Sequence, residues 1–368
     1  MTKLKKVISL TRGKSLDGKY YSTEGKIIRL TLANFFESGG FKDSNFKRDI
    51  YYTGKIEDED LLDKGTLITP LTEQVKGLLG SIATVPEGKK YIPCGDIGII
   101  KIIDSEKYYD RFIFHLFRSS YIRTQLVRGA QKSKIRHVSA DDFYNIEYDF
   151  PDINVQIYIA DLLDNIDNKI NINNKINDNL EQQMKLEYNC LMVKAQTNKV
   201  MGQELFAKDL VDVLTGKEDA NFSTKNGKYK FFTCSNEPLT CDEYKFNSSS
   251  ILIAGNGDFN VKHYTGKFNA YQRTYVLTPK KDYYALLYLS CVDRIDAFKS
   301  KSTGSIVKFI TKSDIENIPV FIPDDKEILN RLNNLFSLKE KNSRENEYLI
   351  SLRDFLLPLL MNGQATIE

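Results

Sequence analysis

The alternation of apolar and polar residues changes character twice along this chain, in the same way each time. Residues 1–150 read as short strands separated by Gly-, Asn- and Lys-rich turns, with strand candidates at 26–31, 66–68 and 97–103 and a helix over 110–127. The period then becomes helical: Ile159, Leu163, Ile166 and Ile170, then Asn173 and Asn177, then Leu180 and Met184 recur on one face. Strand patterning returns over 196–323, with candidates at 228–233, 250–254 and 274–277 and a helix over 281–298. From residue 324 a second long helical stretch follows. There Ile328, Leu335, Asn342, Leu349 and Leu356 share one heptad position, while Leu338, Glu345, Leu352 and Leu359 share another whose start Arg331 breaks. Asp152 and Asp324 stand where N-caps belong. Each long helix should run about 38 residues, roughly 55 Å at 1.5 Å per residue.

Polar residues on both seams are what a coiled coil uses to set register. The pattern predicts an α+β protein: two mixed α/β domains (1–150 and 196–323) alternating with two long helices (151–195 and 324–368) that pair antiparallel. Two core helices of an ordinary globular fold are the plainer reading of the same pattern.

Internal similarity strengthens the division. Residues 138–152 align without gaps with 310–324, and five of the fifteen positions are identical: Asp142/Asp314, Asn145/Asn317, Ile146/Ile318, Pro151/Pro323 and Asp152/Asp324. Gly13-Lys14 matches Gly216-Lys217, Gly25-Lys26 matches Gly227-Lys228, and Tyr108-Tyr109 matches Tyr283-Tyr284. A period near 172 residues is far too long for a solenoid, so the chain is a duplicated domain with a pseudo-two-fold repeat.

A net charge of +3 says little until it is divided. Residues 152–190 hold seven acids against three lysines, and residues 324–363 hold seven acids against six bases, so the remainder carries +8. An excess of that sign on the globular parts suits a polyanion. The basic start is cut short at Thr11, Arg12 and Lys14 before a secretory apolar core could form, which places the chain in the cytoplasm. Cys94, Cys190, Cys234, Cys241 and Cys291 are odd in number and scattered, as reduced thiols would be.

Two unequal recognition-sized domains alternating with two similar long helices resemble the specificity subunit of Type I restriction-modification enzymes. The resemblance rests on Asp-x-x-Asn-Ile and Pro-Asp before each helix, the run from Ile159 to Ile170, and the run from Leu352 to Gly363. It implies that each globular unit is a target recognition domain reading one half of a split DNA site. It implies further that the helices bind two methyltransferase subunits, which use S-adenosylmethionine, and restriction subunits in systems that cleave. A spacer of roughly 55 Å would set two reading heads about one and a half DNA turns apart. Because the domains differ, the target should be asymmetric.

A basic loop precedes each repeated segment, and Lys132, Lys134 and Arg136 in one half, with Lys299, Lys301 and Lys308 in the other, are candidates for phosphate contact. A solvated basic loop would look the same. Side chains that could read base edges are Asn34 and Gln74 in the first domain and Asn256, Asn260, Gln272 and Arg273 in the second. Gly255-Asn256-Gly257 reads as a hairpin turn. The candidate seam comprises Ile159, Leu163, Ile166, Ile170, Asn173 and Asn177 against Leu335, Asn342, Leu349 and Leu356.

No catalytic residue and no metal ligand set stands out. Pro-Pro occurs nowhere, so the base-holding motif of an adenine methyltransferase is missing, and catalysis should lie in partner subunits. His115, His137 and His263 form no metal or triad pattern and read as structural or surface residues. A nuclease remains as an alternative through Asp152 and Asp167-Asn168-Lys169, but those aspartates would stand about 22 Å apart on one helix. A coiled-coil scaffold with protein-binding domains is the other rival.

Overall fold

A computed structural model describes residues 1–43, 50–73, 77–129, 136–257, 259–301 and 309–364. The chain forms two units, one of residues 1–171 with 347–368 and the other of residues 172–346. Each unit therefore takes part of both long helices. These helices span Ile153–Gln196, 44 residues, and Lys326–Met361, 36 residues, against the equal lengths expected.

In the second unit a six-stranded sheet is seen among the described residues. Its order is Val213–Thr215, Thr274–Leu277, Phe246–Ala254, Val261–Ala270, Tyr229–Phe232 and Leu239–Cys241. Only Tyr229–Phe232 and Val261–Ala270 run parallel. The run Ser250-Ile-Leu-Ile-Ala254 is buried on both faces, which is why it reads as continuously apolar.

The first unit repeats this order in broken form. One four-stranded sheet joins Ile8–Arg12, Ile97–Ile102, Leu67–Pro70 and Ala83–Thr84 among the described residues, and another ends on Ile28–Leu30 parallel to Tyr91–Pro93. Ala83–Thr84 and Tyr91–Pro93 together take the place of the long strand Val261–Ala270, interrupted by residues 85–90. The pair Gly13 and Gly216 has one cause. A Cβ on Gly13 would stand 2.3 Å from the Cys94 carbonyl oxygen, and one on Gly216 would stand 2.1 Å from that of Ala270, so backbone fills the space a side chain needs.

The repeated segment shows why its identities recur. Asp142 accepts from the Ser139 N–H at 2.6 Å and Asp314 from the Thr311 N–H at 2.8 Å, closing matching capping boxes on the helices Ala140–Tyr144 and Lys312–Glu316. Buried Ile146 and Ile318 each accept at the carbonyl, from Leu4 N and Ala207 N, both at 2.9 Å.

Two local expectations change. The helix expected over 110–127 is two, Asp110–Arg118 and Ser120–Gly129, because Ser119 leaves helical geometry and bonds back to the Leu116 carbonyl. The second long helix opens at Lys326, where the gap-free repeat would begin it at Asp325. Its capping carboxylate is Asp325, accepting from Glu327 N at 2.9 Å, and not Asp324.

That extra residue turns the apolar stripe. In the first long helix Ile159, Leu163, Ile166, Ile170 and Asn173 are buried and Asn177 is half-buried; in the second the buried positions are Leu329, Leu332, Phe336, Asn346, Leu360 and Met361. Leu335, Asn342, Leu349 and Leu356 stand half-buried beside them, and Leu338 is exposed. Within the second unit the pairing is antiparallel: Glu187 meets Arg331 at 2.8 Å, Glu181 meets Lys339 at 2.5 Å, and Asn173 donates to Asn346 Oδ1 at 3.0 Å. Within the first unit Asp167 meets Arg353 at 3.1 Å, and Tyr148 donates to the Met361 carbonyl at 2.6 Å.

Candidate nucleic-acid interface

In the second unit four strand ends meet. Asn260 Nδ2 donates to the Cys234 carbonyl at 3.0 Å, Gly255 N donates to the Arg273 carbonyl at 2.8 Å, and Ile310 N donates to the Gly255 carbonyl at 2.7 Å. Lys262, not singled out in the sequence, donates to the Thr233 carbonyl at 3.2 Å and to that of Ser235. Burial holds the Lys262 ammonium below its ordinary pKa. Asn256, Asn260, Gln272 and Arg273 thus share one loop cluster, with Gly255-Asn256-Gly257 in the turn joining two antiparallel strands. They differ in availability. Gln272 donates to Asp219 at 3.1 Å and Asn260 is held by Cys234, whereas Arg273 is exposed with no side-chain bond among the described residues. Lys299 is exposed and 3.4 Å from Asp296, and Lys301 ends the helix Tyr284–Lys301. Lys308 lies outside the described residues.

The matching place in the first unit is built around Glu73. Its Oε2 accepts from Gly77, Leu78 and Leu79 N–H groups, each at 3.0 Å, and its Oε1 lies 2.6 Å from Arg136 Nη2. Arg136 therefore neutralises a buried carboxylate, a role the basic-loop reading did not give it. Asn34 is also turned inward: it is 2 % exposed, accepts from Thr31 N at 2.8 Å and donates to the Lys42 carbonyl at 3.3 Å, which leaves it badly placed for a base. Lys132, Lys134 and Gln74 lie outside the described residues.

Behind this loop sits a polar network that the sequence reading missed. Arg111, His115 and Arg118 share one face of Asp110–Arg118 and meet Asp164 and Asp167 on the first long helix. Asp164 receives Arg111 Nε at 2.8 Å and His115 Nε2 at 2.8 Å; Asp167 receives Arg118 and Arg353. Arg118 Nη1 is 3.3 Å from His115 Nδ1, so that nitrogen accepts and Nε2 carries the proton of a neutral ring. Burial pushes the His115 pKa down. Burial alone would push the Asp164 carboxyl up, but the Arg111 and His115 contacts carry it down to about 2. The spacing of these basic residues, four and then three apart, was the available signal. Ligand atoms of His115, Asp164 and Asp167 lie within 4.8 Å of one another. Three arginines already neutralise those two carboxylates, so the charge at this cluster disfavours a metal cation.

The nuclease reading does not survive this geometry. Asp152 precedes one continuous helix, and Asp167, well inside it, is committed to Arg118 and Arg353. The five cysteines are free thiols. No helix among the described residues is long and apolar enough to cross a membrane.

The structure is a duplicated α+β chain in which each unit carries a mixed sheet domain closed by antiparallel stretches of the two long helices. The family described as Type I restriction modification DNA specificity domain matches residues 1–182 and 203–348, and the chain belongs to that family. It is 36% identical over 167 residues to the Type I restriction enzyme EcoDI specificity subunit of Escherichia coli. That match covers 44% of this chain and 38% of the relative, well under half the relative's length. The crystal structure of the Type I restriction-modification system S subunit from M. genitalium has the same fold, with a TM-score of 0.62 at 15% identity over 100% of this chain and 96% of that one.

Proposed function

We propose that this chain reads an asymmetric, split DNA site, one half-site per globular domain, and brings methyltransferase subunits to it. The observation that carries this reading is the loop cluster built in the same place in both units, each just before the repeated capping-box segment and each joined to a basic stretch. Lys132, Lys134, Lys299, Lys301 and Lys308 supply phosphate attraction, and Arg273 is the best placed side chain for a base edge. Methyl transfer, with S-adenosylmethionine, belongs to the partner subunits.

The long helices offer the partner surface. In the first unit Val155, Ile157, Tyr158, Tyr348 and Phe355 are exposed, and a cavity of about 770 Å³ lies between Tyr158, Pro151, Tyr148 and Leu360. In the second unit Ile172, Ile176, Leu186, Val193 and Leu338 are exposed. Large apolar side chains standing out of both helices fit protein partners better than water.

The test is to map methylated adenines in cells carrying the methyltransferase partner, with this chain and with a version whose residues 1–137 come from another recognition domain. One half-site should change while the other stays. Methylation unchanged by the exchange, or unaffected by removing the chain, would sink the proposal. A protein-binding scaffold would instead leave the methylated sequences untouched.

A further inference from the structure

Resting on the DNA-reading proposal, we propose that His137 and Phe309 are equivalent ring contacts through which each domain touches the bases of its own half-site. They immediately precede the two segments of the gap-free repeat, and the backbone treats them alike. His137 pairs antiparallel with Thr72, and Phe309 bridges Asn256 in the same sense. The residue after each locks the strand: Val138 N donates to the Leu71 carbonyl at 2.9 Å, and Ile310 N donates to that of Gly255 at 2.7 Å. Tyr275 adds a bond to the Ile310 carbonyl at 2.9 Å.

Strand alternation does the rest. Val138 and Ile310 point into their cores, so the rings before them point out. Phe309 is 60 % exposed, and His137 is exposed too. One exposed ring is ordinary on a protein surface. The same exposed ring position in two domains that otherwise share few residues, each fixed at the backbone and each following a basic stretch, is a presented contact.

Phe309 stands beside the cluster of Asn256 and Arg273, since the Gly255 backbone bonds both Ile310 and Arg273. Cations close to a rigid ring fit duplex DNA, whose phosphates attract the charge and whose grooves offer thymine methyls and base edges. The two rings are chemically different. Phe309 offers apolar surface only; His137 adds ring nitrogens for a base edge. Unequal half-sites follow from that difference.

The experiment uses the full chain with its methyltransferase partner. Binding is measured at fixed salt to a duplex carrying the mapped site and to duplexes with either half-site scrambled. Phe309→Ala should weaken binding to the mapped site roughly 5- to 100-fold, the range of losing one base–ring contact. Discrimination should disappear at the second half-site only, and His137→Ala should do the mirror image. Phe309→Leu should fall between. Binding to fully scrambled DNA, its salt slope and the thermal midpoint should stay at wild-type values, because an exposed ring carries little of the fold. Variants that discriminate like the wild type overturn this inference and leave the DNA-reading proposal intact. Loss at both half-sites together with a lower midpoint also overturns it, since the rings would then be structural. A wild-type complex without discrimination overturns both.

Discussion

The two units attach the helices Asp110–Arg118 and Tyr284–Lys301 to the long helices by opposite chemistries. In the first unit Asp110–Arg118 is held by charge: Arg111, His115 and Arg118 against Asp164 and Asp167, with Arg353 closing the set. In the second, Tyr284–Lys301 is held mainly by rings. Tyr284 and Tyr288 pack on Phe336 with centroids 5.0 and 5.4 Å away, His263 sits 4.6 Å from the same ring, and Ser290 accepts from Tyr188 at 3.3 Å. By the Tyr-Tyr match Ser290 occupies the position of His115. One feature is shared: an amide of a long helix caps each of these helices. Gln156 accepts from Tyr109 N at 3.0 Å and donates to the Lys107 carbonyl at 2.9 Å; Asn333 accepts from Ala285 N at 3.2 Å and donates to the Asp282 carbonyl at 2.7 Å. The two amides stand at different positions of the repeat, so the units reach the same cap by different residues.

The largest effect should come from breaking the charged anchor. Asp164→Ala leaves Arg111 and His115 facing a vacated site, and the first unit should lose about 3–5 kcal/mol. Hydrogen exchange followed by peptide should show early opening of residues 110–118, with the strands of the second unit unchanged. Equal loss of protection in both units would contradict the division of labour described above.

Acid separates the anchors next. Burial, with Lys339 nearby adding to it, holds His263 at about 4, while Glu340 and Glu181 partly oppose the shift. Between an ordinary histidine value of about 6.5 and about 4 the unfolded chain binds a proton that the folded one does not. That stabilisation of the second unit is complete above pH 6.5 and should fall by about 1–3 kcal/mol as pH drops to 4. Buried His115 adds a term of the same sign in the first unit, whereas the contribution of Asp164 is complete above its ordinary value near 3.8 and is lost only as pH falls from there to about 2. Denaturation of His263→Phe against pH should show a flatter slope in the second unit; an unchanged slope would remove His263 as its source.

The smallest effect belongs to Ser290→Ala. It removes one buried hydrogen bond from Tyr188 and should cost about 1 kcal/mol in the second unit, read as a small shift in urea midpoint. A loss as large as that of Asp164→Ala would mean that the second anchor is polar after all.

Local signals were legible in the chain. Strands at Thr274–Leu277 and Tyr229–Phe232, both long helices and the duplication follow from periodicity and internal similarity, which act over a few residues, whereas the capping boxes at Asp142 and Asp314 emerged only in the structure. The candidate site was legible only in part. Arg273 and Asn256, named by residue type, share one loop cluster in the structure, but the same reasoning could not see that Asn34 and Arg136 face inward. Arg136 is spent on Glu73, a partner sixty-three positions away, and no local pattern announces such a pair.

The second helix seam shows the boundary most sharply. Two helices with apolar faces interrupted by asparagine are already written in the residue order, because hydrophobic period is a local property. Packing decides which polar groups meet: the second helix opens one residue later than the repeat places it, a turn of about 100°, so buried Asn346 bonds Asn173 with Glu345 beside it, while Asn342 stands half-buried. Side-chain direction in a packed pair depends on where each helix starts, and that start is set by the strand Pro319–Pro323 and the cap at Asp325.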